Sequence, residues 1–343
     1  LCLMGIASPT HPVGINTFYS WKREQGAYST YSLIQSAPGS LFTYFFAHCW
    51  LKLKGLGSDS HPTISVNWWE NSVNAAGANW KYCQDKNYEG WGLTACEGQD
   101  GSYYAYGALP CGDTSGPKDD ATIAPYGAGS SIAFLPVESI STLKHYFQNT
   151  DLWRYLFGFG DAYNPHNSTV TTHYNGAWYN HTYFGIDQGP MLIMIENYRS
   201  GLIWKYFMQN GDIQKALLTI FPDAVYSIKG KAKDSEGKGV SRLRVELSGD
   251  KSAVYWTEED GYYEFSKIPF GSNIIVAPIP VYGMQFKPLS KSYTGLTQDY
   301  AEQNFEIVSP PVIPVNNLFN PAKGERTTIV YKLEQRCHVI IKL

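Results

Sequence analysis

A chain of 343 residues is long enough for two or three domains, and with 43% hydrophobic and 17% charged residues it has the material for packed cores. That composition excludes disorder over most of the length. The net charge is −3, from 27 Lys+Arg against 30 Asp+Glu, without any basic run, which argues against nucleic acid or an anionic membrane surface as partner. No apolar run reaches the length of a membrane-spanning helix.

Leu1 is not a methionine, and LCLMGIASPTHPVG starts inside an apolar, helix-like pattern, so the sequence reads as a fragment whose missing leader says nothing about location. From residue 1 to about 225, helical segments alternate with long loops rich in Gly, Tyr, Trp and Asn. Pro136 opens PVESISTLKHYFQN, with Val137, Ile140, Leu143, Tyr146 and Phe147 at helical spacing and Glu138 in the first turn. Pro190 opens a second helix, MLIMIENYRSGLIWKYFMQN, apolar on nearly every face and so expected to be an inner, buried one. DIQKALLTIF closes the region as a shorter helix.

Residues 226–308 change to strand texture, with turns at Glu236-Gly237, Asp260-Gly261 and Pro269-Phe270-Gly271, and form a β-sandwich of ordinary domain size. Residues 309–315 (SPPVIPV) are a proline-rich linker, and 316–343 begin a further β-domain that breaks off. Six cysteines make no dense framework. Cys96 and Cys111 flank a loop and could pair; none of the others shows CxxC spacing, so neither zinc nor another cofactor is expected.

Aromatic residues stand out at 15%. Many sit among Gly, Asn, Asp and His, where flat rings edged by hydrogen-bonding groups suit a sugar-binding cleft; the simpler reading is an aromatic core.

Six segments, in order, carry a resemblance: IASPTHPV (Ile6–Val13), FFAH (Phe45–His48), YCQDKNYEGWGLTACEGQDGSYYAYG (Tyr82–Gly107), DATIAPYGAGSS (Asp120–Ser131), LFGFGDAYN (Leu156–Asn164) and GIDQGPMLIMIENYRSG (Gly185–Gly201). They resemble the bacterial glucoamylase-like proteins, which include endo-β-1,2-glucanases of glycoside hydrolase family 144 and a module of cyclic β-1,2-glucan synthases. The resemblance implies an all-α (α/α)6 toroid acting on β-glucan, with roughly its N-terminal half lying before Leu1. Ala95-Cys96-Glu97-Gly98 departs from the family's short acidic or serine-containing turn. The region 226–308 resembles carboxypeptidase regulatory-like sandwiches through IKGKAKDSEGKGV, VELSG and TEEDGYYEFSKIPFGS. The tail resembles the start of Ig-like modules related to the flagellar hook-capping protein, which implies export to the periplasm or cell surface and attachment there.

Glycoside hydrolysis needs two carboxyl groups. Asp187 is the first candidate, in a Gly185…Gly189 turn at a helix entrance, where it is either a catalytic acid or a helix cap. Asp161 in GFGDAYNP is the second, against the reading of an Asx-turn ahead of Asn164-Pro165, with Tyr155, Phe157, Phe159 and Tyr163 as a sugar platform. Glu196 and Arg199 share a helix face, as a buried ion pair in the cleft wall or as contacts to a sugar hydroxyl. Gln188, Asp120, His11 and His48 are candidate hydroxyl contacts, and Trp91, Tyr104 and Tyr106 candidate stacking surfaces. The expected function is a secreted hydrolase of β-glucan, with a transglycosylase or a non-catalytic glycan-binding protein as alternatives.

Overall fold

The computed structural model describes residues 2–113, 116–149, 151–154, 157–166, 177–280 and 284–309, with the backbone of two short strands at 313–314 and 329–330. Tyr155, most of the proline-rich linker and, apart from the second of those strands, the 316–343 module lie outside the described residues. The chain divides into two compact units, Leu1–Asp223 and Ala224–Leu343.

The first unit carries helices α1 (Cys2–Ala7), α2 (Asn16–Tyr19), α3 (Phe42–Phe45), α4 (Trp68–Asp85), α5 (Pro125–Ser130), α6 (Pro136–Phe147), α7 (Gly185–Arg199), α8 (Leu202–Phe207) and α9 (Gly211–Ile220). Between them lie two-stranded antiparallel ladders: β1 (Gln25–Tyr28) with β2 (Tyr31–Ile34), β3 (Cys96–Glu97) with β4 (Tyr103–Tyr104), β5 (Trp153–Arg154) with β6 (Gly158–Phe159), and β7 (Tyr163–Asn164) with β8 (Trp178–Tyr179). The region is therefore helical with small hairpins set into its loops, rather than all-α.

Local chemistry accounts for the long helices. Asn67 Oδ1 accepts from the backbone N–H groups of Trp69 and Glu70 and starts α4. Small residues along α4 admit β2: a Cβ at Gly77 would lie 2.3 Å from the Tyr31 ring. Asn210 caps α9 in the same way. In α6, Pro136 opens the helix, Glu138 faces its positive end, and Lys144 and His145 face the negative end. The wholly buried α5 packs against α6 and α7. Gly129 makes that approach close, since a Cβ there would meet the Met191 side chain at 2.6 Å.

Two expectations about α7 fail. It starts at Gly185, five residues before Pro190, and ends at Arg199, because Gly201 takes a left-handed φ of +69° and starts α8 separately. It is not an inner helix either: only Asp187, Pro190, Met194 and Asn197 are buried, while Ile186, Leu192 and Tyr198 are exposed. The Cys96–Cys111 pairing also fails, both thiols being free, with Cys111 Sγ 3.4 Å from the Ala75 carbonyl.

The second unit contains two four-stranded sheets. One runs β11 (Ala253–Trp256), β10 (Arg244–Gly249), β13 (Ile274–Pro278), β15 (Lys291–Tyr293). The other runs β12 (Tyr262–Pro269), β9 (Val225–Lys233), β16 (Phe305–Ser309), β14 (Gln285–Lys287). Ile228, Val245, Tyr263, Ile268, Val276 and Phe305 point into one apolar core, and the Tyr255 and Phe265 rings meet across the sheets at 6.3 Å. Gly237, Gly261 and Gly271 occupy the turns at positive φ. Trp256 is 60% exposed. No described helix is long and apolar enough to cross a membrane.

Candidate active site

Asp187 is the third residue of α7, yet it does not cap the helix. The cap position is Phe184, which makes no side-chain cap bond, and Asp187 Oδ1 instead accepts the Tyr103 hydroxyl of β4 at 2.7 Å. Asp161 sits in the bend between β6 and β7, brought inward because Gly160 lies against the Asn180 carbonyl, where a Cβ would clash at 2.1 Å. It forms no Asx-turn. Its Oδ2 accepts the Glu97 backbone N–H at 2.9 Å, and the turn at this place belongs to Asn164 Oδ1 and the His166 N–H.

These two carboxyl groups meet. They lie within hydrogen-bonding reach of each other, both fully buried, and each keeps one buried oxygen, Asp161 Oδ1 and Asp187 Oδ2, that accepts from no N–H or O–H donor. Burial pushes both above the ordinary carboxylate range. For Asp161 the neighbouring Asp187 and Glu97 carboxyls push the same way, against the pull of the Glu97 N–H. For Asp187 the Tyr103, Asp161 and Tyr126 groups pull back toward the charged form. Two carboxyl groups in contact resist ionising together, and both shifts run upward. Their contact is also far shorter than the ~5–5.5 Å or ~6.5–9.5 Å between the working carboxyls of retaining and inverting glycosidases.

The surroundings are polar and incompletely bonded. Glu97 Oε2, Gln188 Nε2 and the Tyr183 hydroxyl are buried without a hydrogen-bond partner. Tyr126 of α5 donates to the Ala95 carbonyl and faces Asp187. Tyr103, 46% exposed, covers Asp187 with its ring edge-on to Phe184 at 5.6 Å. No group of three or more His, Cys, Asp or Glu suited to a metal occurs among the described residues.

Comparison with known proteins settles the lineage of this unit. The family described as "Putative glucoamylase" matches residues 1–211. The chain belongs to that glucoamylase family. A curated relative, the exo β-1,2-glucooligosaccharide sophorohydrolase (non-reducing end) of Parabacteroides distasonis, is 32% identical over 216 residues, which is 60% of this chain and 26% of the relative. The endo-β-1,2-glucanase of Chitinophaga pinensis, solved with sophorotriose and glucose, matches with a TM-score of 0.53 at 27% identity, over 64% of this chain and 52% of that one. A β-1,2-glucanase structure from P. distasonis also gives 0.53, at 25% identity, over 64% of this chain and 33% of that one. The chain therefore spans about a quarter to a half of the length of these relatives.

Within this glucoamylase-family unit the other sequence candidates scatter. Gln188 follows Asp187 in α7, its Nε2 buried without a hydrogen-bond partner. His48 is a core residue: its Nε2 lies 3.0 Å from Ser72 Oγ, its ring is edge-on to Trp69 and Phe134, and burial pushes it down to about 3. His11 is exposed, its ring bonded to Thr10 Oγ1 at 3.1 Å. The stacking surfaces fail for Trp91, Tyr106 and Tyr163, which are buried, Tyr163 against Tyr179 and Trp91 beneath the Tyr146 hydroxyl. Tyr104 is half-buried with Lys118 Nζ 3.2 Å above its ring. Asp120 is an exposed turn acid accepting the Thr122 N–H at 3.1 Å. Of the expected platform, Phe157 alone among the described residues is exposed, at 71%; Phe159 is buried.

Glu196 and Arg199 do pair, at 3.4 Å, but at the surface, with the Arg199 side chain 72% exposed. Glu196→Gln is accordingly expected to cost less than about 1 kcal/mol, and a thermal melt should move only slightly. A large drop would show that the pair holds the wall after all.

Tyr126 and Glu97 were not among the sequence candidates for this site, and Tyr103, a stacking candidate by sequence, instead donates to Asp187. The available signal was the Gly98…Gly101 turn, which folds Cys96-Glu97 back on Tyr103-Tyr104 and so places a backbone donor and a phenol side by side.

Proposed function

We propose that this chain is part of a glycoside hydrolase acting on β-1,2-linked glucan, with Asp187 as the general acid. The observation that carries the reading is the buried Asp161–Asp187 pair at the start of α7, in a family whose relatives bear the names sophorohydrolase and endo-β-1,2-glucanase. A carboxyl raised above its ordinary range by burial is suited to protonating a glycosidic oxygen. Gln188 and the exposed Tyr103 are the nearest groups to orient sugar hydroxyls. The base or nucleophile is a separate carboxyl, at the wider spacing that hydrolysis needs.

The helical unit is proposed as part of an (α/α)6 toroid, and the β-sandwich as a non-catalytic, carboxypeptidase regulatory-like spacer on an exported protein. The 316–343 segment would serve attachment to the cell surface or the secretion machinery.

The test is product analysis. The full-length protein, incubated with linear β-1,2-glucan, should release sophorose or short β-1,2-linked oligosaccharides. Longer products would indicate transglycosylation, and unchanged glucan at every pH tried would remove the enzyme reading.

A further inference from the structure

Two features beside the acids cost the protein free energy when it stands alone. Phe157, at the tip of the β5–β6 hairpin, is 71% exposed. Its N–H bonds the Arg154 carbonyl at 2.9 Å and Gly158 follows at a φ of +87°, so the turn fixes the backbone beneath the exposed ring. That ring lies against the Tyr183 ring, with centroids 5.6 Å apart and planes at 55°. The Tyr183 hydroxyl is buried, yet finds no hydrogen-bond partner in the protein. A large apolar ring left in water forgoes its burial, and a buried hydroxyl without a partner forgoes its hydrogen bond. A ligand that is apolar on its face and rich in hydroxyls at its edge supplies both.

The backbone ties both rings to the acids. Phe157 precedes Asp161 by four residues, and Tyr183 precedes Asp187 by four. The Asp161 N–H bonds the Thr182 carbonyl at 3.1 Å, which sets the Phe157 hairpin beside the Tyr183 segment. Phe184 comes next, at the cap position of α7, and its ring meets that of Tyr103 at 5.6 Å, whose hydroxyl bonds Asp187. On α7 itself, a Cβ at Gly185 or Gly189 would meet nothing within 4 Å, so there is open space along the first turns of this helix.

We propose that Phe157 and Tyr183 form a sugar-binding platform beside the acid pair. The Phe157 face packs on the apolar C–H face of a glucosyl residue, and the Tyr183 hydroxyl bonds a hydroxyl of the same sugar. The proposal rests on the glucan-hydrolase reading above and adds the groups that seat the chain against the acids. A flat ring buries sugar C–H groups without introducing charge, while the phenol, apolar in body and polar at its tip, fixes the sugar's orientation. Contacts of this kind are made equally in the ground and transition states, so they act on KM more than on kcat.

Phe157→Ala in the full-length protein should raise KM for linear β-1,2-glucan about tenfold or more, with kcat little changed. Phe157→Trp should restore KM and Phe157→Leu should not, because the role needs a flat face rather than apolar bulk. Tyr183→Phe keeps the ring, removes the hydroxyl and should raise KM roughly threefold to tenfold. A binding measurement separates the platform from the chemistry. Calorimetry with the same glucan on Asp187→Asn should show Kd weakened by a similar factor when Phe157→Ala is added. Unchanged KM and Kd for Phe157→Ala overturn the platform, and a lowered melting temperature beside them shows the ring packed against protein instead. Glucan that binds through Phe157 but is never cleaved by the wild type supports the platform and removes the hydrolase reading. Cleavage that is indifferent to Phe157 does the reverse.

Discussion

Replacing Asp187 by Asn in the full-length protein should lower kcat/KM on β-1,2-glucan by about two to four orders of magnitude while leaving the fold intact. The magnitude is that of losing a general acid. Retention of the fold follows from the hydrogen bonds. The Asn oxygen can still accept the Tyr103 hydroxyl, now at 2.7 Å from Asp187 Oδ1, and the new amide N–H can donate to the donor-free oxygen of Asp161. The neutral side chain also ends the repulsion within the pair, so the melting temperature at pH 8 should equal or exceed that of the wild type. Near-wild-type turnover would leave Asp187 with a purely structural role, and a collapsed melt would mean that its charge, not its shape, holds the start of α7.

The sequence located both acids of the pair but misjudged most of their company, for a physical reason that individual residues show. Glycine-rich stretches holding Trp91, Tyr106 and Tyr163 were taken as surface loops with exposed rings. In the structure the glycines are what let backbone close around those rings. A Cβ at Gly90 would lie 2.3 Å from the Tyr146 hydroxyl and 2.7 Å from that of Tyr163, and one at Gly98 would lie 2.8 Å from Tyr106. Loop composition therefore marked close packing rather than exposure. The start of α7 was misplaced because Pro190 reads as a first-turn residue, whereas it is the sixth residue and merely leaves the carbonyl of Ile186, a residue 56% exposed, without one helical bond. Period-two alternation and turn glycines, by contrast, were enough to read the second region as β-rich, since a strand such as β9 buries every second residue. Contact between Asp161 and Asp187 was beyond sequence reasoning: it depends on Gly160 fitting under the Asn180 carbonyl, a long-range fit with no local pattern.

The largest loss of stability is expected away from the acids, from Asp59→Ala. Asp59 is fully buried and accepts two contacts from Arg23 Nη1 at 3.0 and 2.8 Å, the Trp68 indole N–H at 2.7 Å, and the backbone N–H groups of His61 and Val66. Arg23 is equally enclosed, 3% exposed at its side chain, with the rings of Phe18, Tyr19 and Trp68 5.2–5.8 Å from the guanidinium carbon. These rings soften the burial of a cation but supply no negative charge. Truncating Asp59 strands a buried guanidinium and three further donors, which should cost about 3–5 kcal/mol. The damage should reach the site, because the Asp59 loop leads into α4, whose Asn79 clamps both backbone groups of Leu93 just ahead of β3 and the Glu97 N–H that anchors Asp161. Thermal unfolding read beside kcat/KM checks both links. The paired variant Arg23→Met with Asp59→Asn removes the charges together and keeps an acceptor for Trp68 and Val66, so it should melt well above Asp59→Ala. If Asp59→Ala melts within a few degrees of the wild type, the ion pair is no keystone, and the stability of the unit rests on its aromatic core alone.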